Sequence, residues 1–522
     1  MKVLLITGTL AEDIVRRHAQ ESNLESDIRV LKIPVAALLT PETIITELKR
    51  AKLRGFDMIL VPGLVRGDTS TISKAVGIST FKGSKYAADL PTVLDSIGEV
   101  QLSTKTPADD LLREKLRQKA FAELENVEKN KLSLLKNSGN MLIKDLAVGR
   151  DFPMRVMAEI VDAPLMSKDE VTRLAKHYAK LGADIVDLGM VAGENRSKDA
   201  GDLVRTVKKA VNVPISIDTL NPDEIREAVA AGADLVLSGD EGNLEAIAPF
   251  VKATPTVIIP TNQREGYFPK SVSERVLLLE KLISKAKRLG MSRILGDLIL
   301  EPSNVLDSLI AFRDFAKKNP DVPLFVGVSN VTELIDADSV GVNALLARIS
   351  SELRASVLLA TEKSSKAKGT VIEEVLASKM MFLAMKRGSV PKDLGIDLLV
   401  LKDKRNREET YDQNQEAETQ VVTVTEKSGQ IEMDTEGMFK IVLDRKNGYI
   451  VVIHFATLGM EKPLKVIKGK SAESVYRKII EMGAVKKLDH AAYLGKELSK
   501  AEIALRTGKS YVQDDSLFNE LI

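Results

Sequence analysis

Nine polar or acidic residues stand at the ends of short apolar segments between Met154 and Arg387. They are Asp162, Asp187, Asp218, Ser238, Asp240, Asn262, Asp297, Asn330 and Glu362. Carboxylates accept hydrogen bonds through two oxygens, and amides both donate and accept. A site lined by such groups suits a flat, neutral heterocycle with many donors and acceptors, provided that the fold brings the segments together.

The order of segments predicts how they come together. Each apolar segment is followed by an amphipathic helix, and eight such βα units in about 235 residues match the size of one (β/α)₈ barrel. Most of the segments are near-continuous apolar runs, as expected for strands buried on both faces. In such barrels the carboxyl ends of the strands form one mouth where ligands bind. The predicted fold class is therefore α/β, with a TIM barrel flanked by further domains.

The bulk composition excludes several classes of function. The chain has 522 residues, a net charge of +1 and no cysteine. Its charge gives no case for nucleic acid or an anionic membrane, and no apolar run approaches the roughly 18 residues of a membrane span. The lack of cysteine excludes disulfides and Cys-ligated metals. We expect a cytoplasmic protein without nucleic-acid or membrane partners. No histidine falls at a predicted strand end of the barrel, so no metal ligands are predicted there.

A chain of this length needs more than one core. We predict a small Rossmann-like α/β domain at 1–100, one linking amphipathic helix at 101–138 and the barrel at 139–390. A charged linker at 391–420 and an α+β domain at 421–522 follow. Turn chemistry explains Gly8 and Gly63 in the first domain, which lacks the GxGxxG and GxxxxGK[ST] nucleotide motifs.

Two hairpins are also predicted. One has its turn at Gly149-Arg150 and is expected to cap the bottom of the barrel. The other has its turn at Asn447-Gly448 in the last domain, where QVVTVTE and QIEMD also alternate like strands.

Four motifs in the barrel region, GADIVDLG, PISIDT, RILGDLILEP and FVGVSN, resemble the pterin-binding barrel superfamily over roughly residues 154–390. That group contains dihydropteroate synthases and corrinoid-dependent methyltransferases that use a methylated reduced pterin. The resemblance implies that Asp218 and Asp297 hold the pterin ring, because one carboxylate can accept an N–H and a neighbouring amine together. Asp187, Ser238 and Asn262 are the other ring-contact candidates, although the family's strand-four Asn is replaced here.

Strand seven separates the two subfamilies. The synthases carry a lysine where this chain has Asn330, as the methyltransferases do, and an amide there can stabilise charge that develops on a ring nitrogen. Asn330 is thus the candidate catalytic residue. The synthase Arg-x-His on strand eight is absent. Arg196 and Lys363 are the substrate-binding candidates for an anionic group.

As a whole the chain resembles archaeal proteins described as dihydropteroate synthase-related. This implies a transferase that uses a reduced pterin of tetrahydromethanopterin or folate type, with Mg²⁺ on a pyrophosphate substrate. The alternatives are methyl transfer from the pterin to the corrinoid of a partner protein and a non-catalytic pterin-binding subunit. A homodimer is a further possible assembly. A C-terminal stretch resembles a corrinoid-carrying methyltransferase subunit, which makes His490 a candidate ligand; a helix-capping or core histidine is the alternative.

Overall fold

A computed structural model describes residues 1–51, 53–392, 394–402, 421–422, 424, 434–456 and 462–518. Residues 403–420 of the predicted linker and most of the predicted strands at 420–434 lie outside the described residues. The chain divides into two compact units. The first comprises 1–361 and 370–398, and the second comprises 362–369 and 399–522.

The first unit begins with a parallel sheet in the order β2-β1-β3-β4. Its strands are β1 (Lys2–Gly8), β2 (Glu25–Leu31), β3 (Met58–Val61) and β4 (Thr80–Lys82). Its helices are α1 (Glu12–Ala19), α2 (Pro41–Lys49), α3 (Ser70–Val76) and α4 (Leu90–Asp95). Alternate residues of β1 enter two separate apolar clusters, so the sheet is buried on both faces. The fourth strand is an addition to the predicted domain.

The linking segment corrects one expectation. It forms three helical pieces, α5 (Ala108–Leu111), α6 (Arg113–Lys129) and α7 (Lys131–Leu134), where one long helix was predicted. The hairpin that follows consists of β5 (Asn140–Ile143) and β6 (Leu146–Gly149). Its turn lies at 144–145 and not at Gly149-Arg150, because Lys144 adopts the left-handed backbone conformation that closes the turn. Ile143 and Val148 pack into the barrel interior, so the predicted cap is confirmed.

Eight parallel strands close into the predicted barrel, with the last strand paired to the first. The strands are β7 (Arg155–Ile160), β8 (Ile185–Gly189), β9 (Ile215–Asp218), β10 (Leu235–Gly239), β11 (Thr256–Ile258), β12 (Ile294–Gly296), β13 (Leu324–Val326) and β14 (Ala355–Thr361). The helices are α8 (Lys168–Leu181), α9 (Ser197–Ala210), α10 (Pro222–Ala231), α11 (Leu244–Val251), α12 (Val272–Arg288), α13 (Val305–Lys318), α14 (Ser329–Thr332), α15 (Ser339–Glu352) and α16 (Thr370–Arg387).

Local chemistry sets where these helices begin and end. Ser167 before α8 and Ser271 before α12 each form a capping box with a glutamate three residues on. Gly182 ends α8 and Gly232 ends α10, each in the left-handed conformation that glycine adopts at low cost because it has no Cβ atom. The capping boxes fix where α8 and α12 begin, and the two glycines fix where the chain leaves the helix to enter β8 and β10.

The barrel interior is layered. Inward residues near the amino ends of the strands are apolar, among them Met157, Ile185 and Leu295. Because side chains alternate along a strand, the residues two positions further on also point inward. On three of these strands that next inward residue is a carboxylate, namely Glu159, Asp187 and Asp297. The fold therefore stacks an acidic layer on an apolar floor, toward the carboxyl ends of the strands.

The second unit contains an antiparallel sheet of β15 (Met438–Asp444), β16 (Tyr449–Phe455) and β17 (Lys465–Gly469). Helices α17 (Ala472–Glu481) and α18 (Leu488–Thr507) pack on it. The predicted hairpin at Asn447-Gly448 is confirmed, with Gly448 at a φ of 69°. Within the described part of the chain, no helix has the length and apolar character needed to cross a membrane.

Candidate functional site

Three carboxylates on neighbouring strands converge at the barrel mouth. One side-chain oxygen from each of Glu159, Asp187 and Asp218 lies within 4.8 Å of the others. The register of the sheet brings this about, since Glu159 pairs with Asp187 and Gly189 pairs with Asp218. A Cβ at Gly189 would lie 2.6 Å from the Glu159 Oε1, so the glycine leaves room for that carboxylate. We refer to Glu159, Asp187 and Asp218 as the acidic trio.

Burial raises the pKa of two carboxyl groups in the acidic trio, and repulsion between neighbouring charges adds to the effect at Asp187. Asp187 is fully buried, and it accepts a hydrogen bond from the hydroxyl of Ser216. Burial first, then the charges of Asp218 and Glu159, raise the pKa of Asp187 well above its ordinary value. Burial also raises the pKa of Asp218 to about 6. Both shifts favour the protonated form of these two carboxyl groups when no ligand is bound.

The same carboxylates fit a hard divalent cation. The Asp187 Oδ2 is buried and has no hydrogen-bond partner among the described residues. Oxygen ligands of this kind are those that Mg²⁺ prefers. If Mg²⁺ binds to this barrel, Glu159, Asp187 and Asp218 are the described residues that would hold it, and it would supply positive charge toward an anionic substrate.

Asp297 lies across the mouth, directly after β12. Burial raises the pKa of this carboxyl group to about 7, and the charge of Asp218 adds to the effect. The backbone N–H of Ile299 opposes it by donating to Asp297 Oδ1 at 2.7 Å, and the charge of Arg275 also acts in that direction. One oxygen of Asp297 is thus held by its own loop, which orients the carboxylate.

A buried arginine holds the loop that carries Asp297. Arg275 lies in the first turn of α12 and is only 2% exposed. The ring of Phe268 lies 4.5 Å from its guanidinium carbon. The guanidinium donates hydrogen bonds to the segment 298–301, at the Leu298 carbonyl (3.4 Å), the Ile299 carbonyl (3.2 Å) and the carboxylate of Glu301. It also donates to the hydroxyl of Ser308 on α13, at 3.1 Å. Because an arginine fork fixes several acceptors at once, Arg275 positions Asp297.

We expect Arg275→Lys to weaken ligand binding at the mouth by about tenfold, because a lysine keeps the charge but loses the fork that holds the loop. Titration calorimetry with a reduced pterin measures the change. Arg288→Lys, an exposed position on the same helix, is the matched control and should bind like wild type. Unchanged affinity in a folded Arg275→Lys protein would show that the loop holds Asp297 without the arginine.

Two predicted mouth residues have structural roles. The Asn262 Oδ1 accepts from the Glu265 N–H at 3.4 Å and caps the turn that follows β11. The carboxylate of Asp240 accepts four hydrogen bonds that tie its own loop to the loop after β11. Both residues shape the rim, through both carboxylate oxygens of Asp240 and through the Oδ1 of Asn262. Asn262 stays a proposed ring contact through its remaining amide group.

The two predicted anion ligands, Arg196 and Lys363, lie in different surroundings. The Arg196 side chain makes ion pairs with Glu194 at 2.5 Å and Asp199 at 3.4 Å, so its charge is balanced locally. Lys363 is exposed and belongs to the loop 362–369, which groups with the second unit. Its role in substrate binding stays a prediction.

The remaining predicted residues are Asn330, which follows the seventh barrel strand, and Ser238, which lies on the fourth. Asn330 is exposed and lies on the helical turn α14, four residues beyond the end of β13. Its Nδ2 donates to the Leu300 carbonyl at 3.2 Å, so it contacts the same loop that Arg275 holds. Ser238 is 8% exposed on β10, beside the Leu237 that pairs with Asp218. The structure therefore gathers Asp187, Asp218, Asp297 and Asn330 around one mouth.

His490 lies in the second unit and is 8% exposed. Its Nδ1 is 3.3 Å from the Asp434 Oδ2, and its ring is 5.5 Å from the ring of Phe439. Three backbone N–H groups also donate to Asp434, and together with His490 they hold the pKa of that carboxyl group well below its usual range despite its burial. These contacts are those of a core histidine.

Comparison with known proteins agrees with this architecture. The family model described as "Pterin binding enzyme" matches residues 161–370. The uncharacterized protein MJ0107 of Methanocaldococcus jannaschii is 43% identical over 533 aligned residues, which cover 99% of this chain and 99% of that protein. The chain belongs to the pterin-binding barrel family.

The flanking domains of this pterin-binding protein also match family models. Residues 1–85 match a family of unknown function, DUF6513, and residues 433–514 match PterinBD-DUF4346. A Ycf91-like protein of Nostoc sp. is 34% identical over 108 residues, or 16% of this chain and 85% of that protein.

Solved structures similar to the chain include two dihydropteroate synthases. The Yersinia pestis enzyme with a pterine-sulfa conjugate is 17% identical, with a TM-score of 0.38 over 47% of this chain and 99% of that chain. The Xanthomonas albilineans enzyme in complex with 7,8-dihydropteroate is 18% identical, with a TM-score of 0.37 over 46% of this chain and 96% of that chain.

Sequence reasoning missed two residues of the candidate site. Glu159 was passed over in favour of Asp162, although it follows the inward Met157 by two positions, a signal that strand alternation alone provides. Arg275 carries no such signal, since it lies in an amphipathic helix where a charged residue ordinarily faces solvent. Only its tertiary contacts show its place beside Asp297.

Proposed function

We propose that this chain is a pterin-dependent transferase of dihydropteroate synthase type, acting in folate or tetrahydromethanopterin metabolism. The observation that carries the proposal is a pair of carboxylates, half-buried Asp218 and buried Asp297, at the mouth of a pterin-binding barrel. A pterin ring presents an N–H and an exocyclic amine side by side. A carboxylate that faces them accepts both bonds and gains a charge-assisted pair.

The raised pKa values support a ligand of this kind. A buried carboxylate without donors is costly, and burial therefore favours its protonated form. Two ring donors would stabilise the ionised form and reverse that preference. Asp297 is suited to this exchange because its pKa lies near 7, so the free protein loses the proton at little cost when the ring binds.

The proposal predicts a pH dependence of binding. Asp297 is protonated below about pH 7 in the free protein and then offers fewer acceptor sites to the ring. Affinity for a neutral reduced pterin should rise with pH and level off above 7, and it should fall by up to about tenfold per pH unit below that value. Calorimetric titrations with 6-hydroxymethyl-7,8-dihydropterin between about pH 5.5 and pH 8.5 measure this profile.

Asp297→Asn is the control for the pH series, because an amide does not titrate. The variant should lose the step near pH 7 and keep only the contribution of the ligand and of Asp218. A flat profile for wild type, or an unchanged profile in the variant, would remove Asp297 from the ring contact.

In the synthase-type reaction the pterin carries a methylene pyrophosphate, and an arylamine nitrogen attacks that methylene as pyrophosphate leaves. In this reading Asp218 and Asp297 orient the ring. Mg²⁺, if the acidic trio holds it, would offset the charge of the leaving group.

Methyl transfer to the corrinoid of a partner protein is the second candidate, and two observations favour it. The guanidinium of Arg196 is already paired with Glu194 and Asp199, which weakens the case for a pyrophosphate site. Asn330 is exposed at the mouth, where an amide could stabilise a ring nitrogen as its methyl group departs. A non-catalytic pterin-binding subunit is the remaining alternative.

One pair of incubations with the full-length chain separates these readings. The first supplies a pterin pyrophosphate, Mg²⁺ and 4-aminobenzoate, and mass spectrometry detects the condensed product. The second supplies an N5-methyl tetrahydropterin and cob(I)alamin, and the visible spectrum detects methylcobalamin. Product in the first supports the proposal and product in the second supports methyl transfer. Pterin binding without either product would favour the binding-subunit reading.

A further inference from the structure

The N-terminal sheet contains a cavity that the proposed barrel site does not use. Its volume is about 90 Å³, and it opens at the carboxyl ends of three strands. Thr7 of β1, Val61 of β3 and Ser84 after β4 line it, together with Val15 of α1 and Ala36. One water needs roughly 10–15 Å³ on this measure, so the cavity has room for one or two rings of a small compound.

The topology marks the same place independently. The strand order is β2-β1-β3-β4, so the chain leaves β1 toward one side of the sheet and returns to the other side at β3. In open α/β sheets ligands bind outside the carboxyl ends of the strands at such a switch point. The cavity lies between the ends of β1 and β3, which is where this rule expects a ligand.

The glycines of this region explain its shape. A Cβ at Gly8 would lie 2.5 Å from the Ile33 carbonyl oxygen, and a Cβ at Gly63 would lie 2.6 Å from the Gly83 carbonyl oxygen. Both glycines therefore serve close backbone packing at the strand ends. They bring the loops together around the cavity, and they do not form a phosphate-binding loop.

The charges around the cavity select the chemistry of the ligand. Lys85 is the lining cation, and its Nζ is already 3.1 Å from Asp109 and 3.0 Å from Asp110. Helix α1 begins with Glu12 and Asp13, which oppose an anion at its amino end. Among the described residues that line the cavity, the phosphate group of a nucleotide would find no uncompensated positive charge.

The walls favour an uncharged aromatic ligand. Most of the lining side chains are apolar, and the hydroxyls of Thr7 and Ser84 can hydrogen-bond to the edge of a ring. Small-molecule sites combine apolar walls with a few such polar groups. We infer that the N-terminal domain binds a neutral aromatic heterocycle of one or two rings in this cavity, separately from the pterin site of the barrel.

The test uses the full-length chain with labelled Ile, Leu and Val methyl groups, followed by NMR during titration with adenine, adenosine monophosphate and inorganic phosphate. Adenine should shift the methyl signals of Ile6, Val15 and Val61 and leave those of Ile259 and Leu295 in the barrel unmoved. Phosphate should shift none of them. Adenosine monophosphate should bind no better than adenine.

A filling variant gives the second arm. Ala36→Leu should weaken adenine binding by about tenfold or more, because the added atoms occupy the cavity. Val35→Leu, one residue earlier and 44% exposed, is the matched control. Val15→Leu on α1 replaces Ala36→Leu if that protein does not fold.

Three outcomes would overturn the inference. Adenine that shifts no cavity methyl group excludes the ligand class, and shifts confined to the barrel assign adenine to the pterin site. Tighter binding of the monophosphate, with shifts from phosphate alone, would make the cavity an anion site. Failure in this test leaves the pterin titrations of the barrel unaffected, since those follow different residues.

Discussion

Replacement of Asp297 by Asn is expected to weaken the binding of a reduced pterin by about 1.5–3 kcal/mol, the range for a hydrogen bond to a charged partner. Asp297 lies 8% exposed at the mouth, where its loop and Arg275 hold it in place. The amide keeps one acceptor oxygen but presents an NH₂ group to the ring donors, so one bond is lost and a repulsive contact replaces it. Calorimetry at about pH 8 measures the change.

The same variant should be more stable than wild type when no ligand is present. Burial raises the folded-state pKa of Asp297 from 3.8 to about 7, so the folded chain keeps a proton that the unfolded chain has lost. Folding stability therefore falls as the pH rises from about 4 to 7, and the loss remains above 7. An asparagine avoids this loss, and the free energy of unfolding at pH 8 should increase by on the order of 2 kcal/mol.

Measured together, pterin affinity and folding stability distinguish the loss of a ring contact from misfolding of the variant. Weaker binding in a protein that is more stable to urea cannot result from a disrupted barrel. Asp314→Asn, on the outer helix α13, is the matched control and should leave the pterin affinity unchanged. Equal pterin affinity of wild type and Asp297→Asn would remove Asp297 from the ring site.

Asn330→Ala has the second large expected effect, and it tests the methyl-transfer reading. If the Asn330 amide stabilises charge that develops on the ring nitrogen, its loss should slow single-turnover transfer to cob(I)alamin by about 10²–10³-fold. Pterin affinity should change far less, because such a bond counts mainly in the transition state. Its hydrogen bond to the Leu300 carbonyl orients the amide before the ligand arrives.

Asn319→Ala is the control for Asn330, since it places the same substitution at the end of α13, before β13 begins and away from the mouth. Its transfer rate should match that of wild type. Equal losses of binding and rate in Asn330→Ala would make that residue an ordinary ligand contact. If wild type condenses pterin pyrophosphate with an arylamine and transfers no methyl group, Asn330 has no role in methyl chemistry.

Local patterns in the sequence were sufficient for the barrel. Apolar strands that alternate with amphipathic helices appear eight times, and glycines such as Gly182 stop a helix just before the next strand. These signals depend on neighbours in the chain, so they can be seen without the fold. Asp218 and Asp297 were also found in this way, because each ends an apolar strand that the pattern had already marked.

Other features depend on residues far apart in the chain. The linking helix broke into three pieces because its apolar residues divide between two cores: Ala108 and Leu112 pack in the N-terminal domain, and Ala120 and Leu124 pack against the barrel. Arg275 lies on an amphipathic helix, but its partners, the carbonyls of Leu298 and Ile299 and the carboxylate of Glu301, lie 23–26 residues further along the chain. A motif shows which residue type is present and not which partner it has.

The sequence alone determined three things: the number of βα units, the alternation of inward and outward side chains, and the family resemblance. Each depends on residue types at spacings of a few positions along the chain. The tertiary structure decided that Glu159 joins Asp187 and Asp218, because strand register sets which carboxylates meet across the sheet. It also raised the pKa of Asp187 and of Asp218. A pKa is shifted by burial and by neighbouring charges, and both exist only when distant parts of the chain have closed around the group.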